Sequence, residues 1–226
     1  MKKQEKGLSR RQMLGIAIGL SGFALSGQSG SVFAQEEKRL FTPPLTLGPF
    51  YPQIKPLDQD DDLTVLRGKH GHAQGKIIHL TGRVMNLKGE PVSGARVQIW
   101  QADANGRYTH NSDPNPGQRD PYFQGYSVQK TNEKGQYYFK TIKPGAYPGL
   151  IAGMRTPHIH FEVDGKIDRV VTQVFFPNEP LNEQDSILQS IKGPHKEALI
   201  VKMMPPSKEM EADSVHAVWD VVLLKG

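Results

Sequence analysis

Two histidines and two tyrosines are the residues of this sequence that are best suited to bind a metal ion. His158 and His160 stand two residues apart in the segment 158–163, which alternates and is rich in strand formers. Side chains at positions i and i+2 of a strand share one face, so both imidazoles point the same way. Two imidazoles on one face are half of a metal site, but a His-x-His pair also occurs in strands that bind nothing. The pair therefore needs further ligands before it indicates a metal.

The two tyrosines supply candidates for those ligands. Tyr108 follows a strand signal and a glycine turn, and Tyr147 lies in the proline-bracketed loop 144–148. Proline restricts the backbone, so this loop should hold Tyr147 stiffly. Either tyrosine alone is better explained as an amphipathic side chain that covers the core. Taken with His158 and His160, they form a chemically coherent set of four ligands.

The donor types in this set favour ferric iron. Cysteine is absent, which excludes thiolate ligands and disulfides. Two phenolates and two neutral imidazoles are hard-to-borderline ligands that suit Fe(III). Two phenolates and one hydroxide would balance a 3+ charge and leave a neutral centre that is buried at low cost. Because free tyrosine has a pKa of about 10, only a strong Lewis acid would hold both side chains as phenolates at neutral pH.

The segments that must position these residues read as short strands separated by turns. Alternating apolar residues mark the strands, and Gly, Pro and Asn mark the turns. We predict an all-β fold, an antiparallel β-sandwich with long loops and little helix, whose one short helix falls at 182–191. The predicted strands are 77–84, 95–100, 126–131, 136–141, 158–163, 169–176, 198–203 and 215–224.

The first 34 residues predict a twin-arginine export signal. Arg10 and Arg11 precede a short, glycine-rich apolar segment, and Ala34 ends a small-residue cleavage site. These residues hold five basic and one acidic side chain, so they carry +4 of the formal net charge of +5 and leave +1 for the remainder. We predict cleavage after Ala34, a periplasmic or secreted location and no stable membrane span thereafter. The remaining charge gives no reason to expect nucleic-acid binding.

The rest of the chain divides into an extended N-terminal arm, residues 35–76, and one β-sandwich domain, residues 77–226. Within the arm, the aromatic segment 47–52 either packs against the domain or reaches a partner subunit. Together with the exposed edges of a sandwich, it leads us to expect a homo-oligomer. The acidic run 58–62 and the pair His70 and His72 are predicted to be solvated loops.

Three segments, 100–110, 141–148 and 155–161, resemble the intradiol ring-cleavage dioxygenase family. The likeness runs from Gly48 to about Phe176. It is greatest to the iron-bearing chain of the protocatechuate-type branch, because the long helical N-terminal segment of the catechol 1,2-dioxygenase branch has no counterpart here. The resemblance implies a β-sandwich with non-haem Fe(III) between its loops and sheet. By position, Tyr108 and His158 resemble the equatorial ligands, and Tyr147 and His160 the axial ligands.

The resemblance also implies an activity and three catalytic residues. The activity is cleavage of a catechol-type, protocatechuate-like ring between its two hydroxyl carbons, with insertion of both atoms of O2 to give a muconate-type diacid. Tyr147 is implied to leave the metal when this small aromatic diol binds. Arg155 and Gln173 are implied to orient neighbouring groups and to stabilise negative charge on oxygen or on the substrate.

Two other functions fit parts of the sequence. Residues 80–97 also resemble the prealbumin-like β-sandwich, a non-catalytic binding module of exported proteins. Such a module would account for the strands and the signal, but not for the four candidate ligands together. A zinc or copper hydrolase built on the His pair would need a carboxylate that the motif does not supply.

Overall fold

The structure of the protein, a computed structural model, describes residues 39–150 and 153–226. The predicted export signal, residues 1–34, lies outside this part of the chain. In the described residues there are eleven strands, a 3₁₀ helix at Pro180–Glu183, and two helices, α1 (Ser186–Ser190) and α2 (Pro194–Glu197). The strands are β1 (Ile77–Asn86), β2 (Arg96–Trp100), β3 (Tyr126–Lys130), β4 (Gln136–Ile142), β5 (Tyr147–Pro148), β6 (Met154–Arg155), β7 (His158–Asp164), β8 (Arg169–Phe175), β9 (Lys202–Met204), β10 (Val215–Val218) and β11 (Val221–Leu223).

One layer of the fold is a five-stranded sheet built around β1. Strand β4 pairs with β1 in the antiparallel sense along most of its length. Strands β10 and β11 pair with β1 in succession, and both of these pairings are parallel. Strand β9 then adds to β10 in the antiparallel sense. The C-terminal strands therefore complete the sheet that the first strand begins.

The second layer is a four-stranded sheet in the order β3-β2-β7-β8, and all of its pairings are antiparallel. The core lies between the two layers. Leu80 and Phe139 enter it from the first sheet, and Ile99, Phe161 and Val174 enter it from the second, all at most 1% exposed. Alternate residues of β7 thus face the core through Ile159, Phe161 and Val163, which leaves the intervening residues on the outer face.

This architecture confirms the predicted all-β sandwich. The predicted antiparallel arrangement is wrong for β10 and β11, which pair with β1 in parallel, and further differences lie near the C-terminus. The predicted strand 198–203 is wrong in its first part: helix α2 starts at Pro194, and Leu199 and Ile200 still donate to carbonyls within that turn. Ile200 makes a single parallel bridge to Phe175 of β8, and the strand itself is Lys202–Met204. The predicted strand 215–224 is divided in two at Trp219, whose carbonyl accepts the buried hydroxyl of Tyr137.

The short helical region is confirmed in place, although it consists of a 3₁₀ turn and α1 rather than one helix over 182–191. Asp185 separates the two pieces and caps α1, since its carboxylate accepts from the backbone N–H groups of Ile187 and Leu188. His70 and His72 are exposed, as predicted. None of the helices in the described residues is long and apolar enough to cross a membrane.

Candidate metal centre

The outer face of the second sheet carries both histidines. Strand pairing aligns Trp100 with His160 and His160 with Gln173, so these three side chains form one row across β2, β7 and β8. His158 lies two residues before His160 on the same face, at 1% exposure. The His160 ring stacks on Trp100, with ring centres 4.8 Å apart and planes 10° apart. The sheet thus fixes both imidazoles through its register and this stack.

A tight turn after β2 positions Tyr108. The Asp103 carboxylate accepts from the backbone N–H groups of Asn105 and Arg107, which closes the turn, and Asp113 accepts from the N–H of Tyr108 at 2.6 Å. Gly106 lies at the tip with φ +74°, and a Cβ there would stand 2.3 Å from the carbonyl oxygen of Ala146. Only glycine allows this approach. The turn therefore packs directly on the loop that carries the second tyrosine.

Tyr147 was predicted in a stiff loop, and the structure places it in a two-stranded ladder. Strands β5 and β6 pair Tyr147 with Arg155, three residues before the first histidine. Each strand has only two residues, so most of the proline-bracketed segment remains a loop. The pairing holds the backbone of Tyr147 beside that of Arg155. The ladder therefore places the candidate ligand Tyr147 next to Arg155, which is predicted to be catalytic.

Four donor atoms meet at one point as a result. The hydroxyl oxygens of Tyr108 and Tyr147 are 3.4 Å apart, that of Tyr147 is 3.3 Å from Nε2 of His158, and the two histidine Nε2 atoms are 3.2 Å apart. All four side chains are at most 3% exposed. First-row metals bind ligands at about 2.0–2.1 Å, which puts neighbouring ligand atoms roughly 3 Å apart. The spacing of these donors fits a single shared ion.

The protonation of the histidines suits metal binding as well. Nδ1 of His158 lies 2.7 Å from the carbonyl oxygen of Thr156, which can only accept, so Nδ1 holds the proton and Nε2 presents a lone pair to the cluster. Burial, helped by the positive charge of Arg155, lowers the pKa of His158 to about 3. Burial and the neighbouring His158 also lower the pKa of His160. Both rings are therefore neutral at physiological pH.

In the two tyrosines, burial raises the pKa instead of lowering it. Burial raises the pKa of Tyr108 well above its usual value, and the adjacent Tyr147 raises it further. Burial also raises the pKa of Tyr147, although the Arg155 charge opposes this shift. Without a strong Lewis acid both groups stay protonated at neutral pH. The set therefore calls for a metal ion of high charge, as the donor types indicated.

The N-terminal arm closes the centre from outside. Phe50 is 3% exposed, and its ring centre lies 4.8 Å from that of Tyr108. Tyr51 packs edge-on against Trp100 at 4.9 Å. Gly48 has φ +73° and lies against His160, so a Cβ there would stand 3.0 Å from Cε1 of that ring. Of the two predictions for segment 47–52, packing of its aromatic pair against the domain is thus confirmed.

Behind the cluster lies a buried charged pair that the sequence did not reveal. The Arg155 guanidinium donates to Asp185 at 2.8 Å and to Oε1 of Gln173 at 2.6 Å. Asp185 is fully buried, and Arg155 is 4% exposed. Asp185 also accepts from the N–H of Thr156 at 3.1 Å, which holds the residue whose carbonyl orients His158. The pair thus links helix α1, β6 and β8 to the geometry of the centre.

A cavity of about 330 Å³ opens beside Tyr147 and Arg155. Phe50, Leu150 and Ile187 contribute most of its apolar wall. A larger cavity, about 540 Å³, lies on the outer face of the five-stranded sheet and contains none of the predicted site residues. A third cavity, of about 160 Å³, is lined by Tyr108 and Trp100. We assign the diol to the cavity of about 330 Å³, because it is lined by both Tyr147 and Arg155 and is the larger of the two that adjoin candidate ligands.

All six residues predicted for the site therefore lie together. The sequence did not indicate the roles of Asp185 and Thr156, the stack of Trp100 on His160, or that the aromatic pair of the arm packs over the centre itself. An aspartate before a short apolar-periodic segment does predict a helix cap, but not its pairing with Arg155, which depends on tertiary structure. Nδ1 of His160 has no hydrogen-bond partner among the described residues. The described residues contain no group of three or more His, Cys, Asp or Glu side chains that could hold a metal ion. A metal ion at this centre would therefore need the tyrosine oxygens as ligands.

Comparison with known proteins assigns the chain to a family. A family model described as "Dioxygenase" matches residues 46–225. The protocatechuate 3,4-dioxygenase beta chain of Burkholderia cepacia is 39% identical over 168 residues, which cover 73% of this chain and 71% of the relative. The chain belongs to the intradiol ring-cleavage dioxygenase family. Members of this family are oxidoreductases, and the present chain is an enzyme of that class.

Other intradiol dioxygenases show how far the similarity extends. The hydroxyquinol 1,2-dioxygenase of a Rhizobium species is 31% identical over 155 residues, which cover 62% of this chain but only 50% of that enzyme. Among solved structures, the dioxygenase domain of a carbohydrate-binding fusion protein from Streptomyces sp. SirexAA-E superimposes with a TM-score of 0.61 at 26% identity. That match covers 82% of this chain and 99% of the domain. The intradiol dioxygenase fold is thus present over the whole sandwich.

Proposed function

We propose that this intradiol dioxygenase is a mononuclear non-haem Fe(III) enzyme. Its iron would be bound by Tyr108, Tyr147, His158 and His160. The enzyme would cleave a catechol-type diol between the hydroxyl carbons with O2 to give a muconate-type diacid. The observation that carries the proposal is the convergence of four buried donors at spacings of 3.2–3.4 Å. Fe(III) in this site would supply Lewis-acid activation of the diol and charge transfer with it.

In this proposal, the ligands and the residues around them have separate roles. His158 and His160 act as neutral donors, because their burial disfavours protonation. Tyr147 lines the cavity and, as a phenolate in the iron-loaded centre, would take a proton from an incoming diol. Arg155 lies in the same wall, where it can stabilise negative charge on the substrate oxygens. Phe50 covers the cluster and excludes water from it.

A prealbumin-like binding module explains the sandwich but not a buried cluster of two phenols and two neutral imidazoles. O2 uptake with a panel of catechols, combined with identification of the product, separates the two functions. We expect consumption of one O2 per diol and a ring-opened diacid, and loss of both iron and activity in His160→Ala. Folded, iron-loaded protein that consumes no O2 with any catechol would contradict the proposal.

We also propose that residues 1–34 direct export and are removed. Mass spectrometry of protein from the cell envelope should then show a chain that begins at Gln35. An intact precursor in that fraction would refute the cleavage. Replacing both Arg10 and Arg11 with Lys should retain the protein in the cytoplasm, because the twin-arginine pair is what the export machinery reads.

The proposal of a homo-oligomer is separate from that of catalysis. We propose that the chain forms a homo-oligomer through the exposed edges of its sheets. The aromatic segment of the arm no longer supports this proposal, because it packs on its own chain. Light scattering after size exclusion tests the proposal directly. A single species at the mass of one chain would end it.

A further inference from the structure

The wall of the cavity beside Tyr147 constrains the substituent of the diol. Apart from Tyr147 and Arg155, Thr46 is its one polar residue among the described residues. The others are apolar or glycine: Gly48, Pro49, Phe50, Gly149, Leu150 and Ile187. Arg155 is the single charged residue that lines it within the described residues. The character of this wall is therefore set by hydrocarbon rather than by charge.

The one cation is already engaged. Arg155 donates to the buried carboxylate of Asp185 at 2.8 Å and to Gln173 at 2.6 Å. Asp185 lies at 0% exposure, so its negative charge offsets the guanidinium where solvent does not screen the pair. What remains of the charge of Arg155 is assigned to the diol oxygens at the centre, so a ring carboxylate would add a further anion, and the described residues of this wall supply no second cation to pair with it. Burying an unpaired charge is strongly unfavourable.

The volume of the cavity allows a substituent that is not charged. An apolar cavity of ~150 Å³ is large enough to take up benzene. The cavity here holds about 330 Å³, so a diol ring leaves space for several further carbon atoms. Leu150, at the mouth, is 56% exposed, which allows an apolar chain to extend along it toward solvent. The apolar wall, the paired charge of Arg155 and the volume of the cavity thus all favour an uncharged, apolar substituent.

We infer that the substrate of this centre is an uncharged catechol with an apolar ring substituent, and that ring carboxylates are disfavoured. The inference rests on the proposed function and narrows it. It also runs against the protocatechuate-like substrate that the family resemblance alone implies. The inference rests on the wall to which Leu150 and Ile187 contribute, and not on the four candidate ligands.

Binding to the iron-loaded enzyme without oxygen tests this inference independently of turnover. The probes are 4-ethylcatechol and 3,4-dihydroxybenzoate, which share the diol and differ in the substituent, and calorimetry measures both dissociation constants. We expect 4-ethylcatechol to bind at least tenfold more tightly. Equal or tighter binding of 3,4-dihydroxybenzoate would overturn the inference.

A charge-introducing variant sharpens the comparison. Leu150→Lys places a cation at the mouth of the cavity and should tighten the binding of 3,4-dihydroxybenzoate at least fivefold while leaving 4-ethylcatechol unimproved. Leu57→Lys is the control, because Leu57 is fully exposed and outside the cavity wall yet changes the net charge equally. An equal gain in both variants would show a general charge effect and would count against the inference.

The two proposals fail in different ways. If the iron-loaded protein binds and cleaves 3,4-dihydroxybenzoate in preference to 4-ethylcatechol, only the substrate inference falls and the dioxygenase proposal stands. If it binds neither of these two diols but cleaves another catechol in air, again only the substrate inference falls. If it cleaves no catechol of the panel in air, the proposed function falls and the substrate inference falls with it.

Discussion

Removing the charge of Asp185 should be among the most damaging single changes outside the ligand set. Asp185→Asn keeps the shape of the side chain and an oxygen that can still cap α1, but leaves the Arg155 guanidinium without its anion. Breaking a buried ion pair by removing one partner costs about 3–5 kcal/mol, because an uncompensated charge stays buried. The pair lies at 4% and 0% side-chain exposure, so solvent does not reduce this figure much.

Urea unfolding of the purified protein at pH 7 measures the loss. Asp164→Asn is the matched control, since it removes the same charge from ion pairs with Arg96 and Arg169 on the surface. Exposed pairs contribute about 0–1 kcal/mol. We also expect Arg155→Gln combined with Asp185→Asn to be more stable than Asp185→Asn alone. If Asp185→Asn costs no more than the control, the reasoning about the buried pair is refuted.

The same pair predicts a dependence on pH. Burial alone would raise the pKa of Asp185, but the Arg155 charge and hydrogen bonds from Leu188 and Thr156 lower it below its usual value of 3.8. A carboxyl group whose pKa is lower in the folded state contributes stability above its unfolded pKa and loses it as the pH falls through the folded value. The stability difference between wild type and Asp185→Asn should therefore be complete at pH 7 and shrink below about pH 3.8. A difference that grows in acid would contradict this sign.

Two further predictions concern the cover of the centre. Gly48→Ala should lose iron, because its Cβ would meet His160 at 3.0 Å, whereas Gly68→Ala has similar backbone strain at φ +80° but no neighbour within 4 Å and should keep its iron. Equal iron content in the two variants would rule out the steric argument. Phe50→Ala should cost about 3–5 kcal/mol in unfolding free energy, as expected for a buried Phe. Phe41→Ala, at 37% exposure, is its control, and a matching loss there would contradict the assigned packing.

The sequence predicted the elements of the sandwich because its strands alternate and its turns carry glycine, proline and asparagine. It did not predict that β10 and β11 pair in parallel with β1, since pairing partners so distant in sequence leave no local pattern. The strand predicted at 198–203 is wrong in its first part, because Leu199 and Ile200 complete the turn that follows Pro194. A short apolar run fits either a strand or a helix turn, and periodicity alone does not distinguish them.

The candidate site was more predictable than its supports. His158 and His160 share a face through strand periodicity alone, and Tyr108 and Tyr147 stood out by donor chemistry and by resemblance. The pairing of Arg155 with Asp185, the stack of Trp100 on His160 and the cover by Phe50 join segments far apart in sequence. These contacts depend on the packing of complete elements and are visible only in three dimensions.

The most direct test of the central claim is the metal content and visible spectrum of the purified protein, compared with those of Tyr108→Phe. Four ligands with two phenolates predict one iron per chain and a burgundy colour from a broad ferric–tyrosinate band. Tyr108→Phe should remain folded and lose much of that band, because one of the two phenolates is gone. A correctly folded wild-type protein that holds one zinc and no iron, or a band that Tyr108→Phe leaves unchanged, would contradict the account.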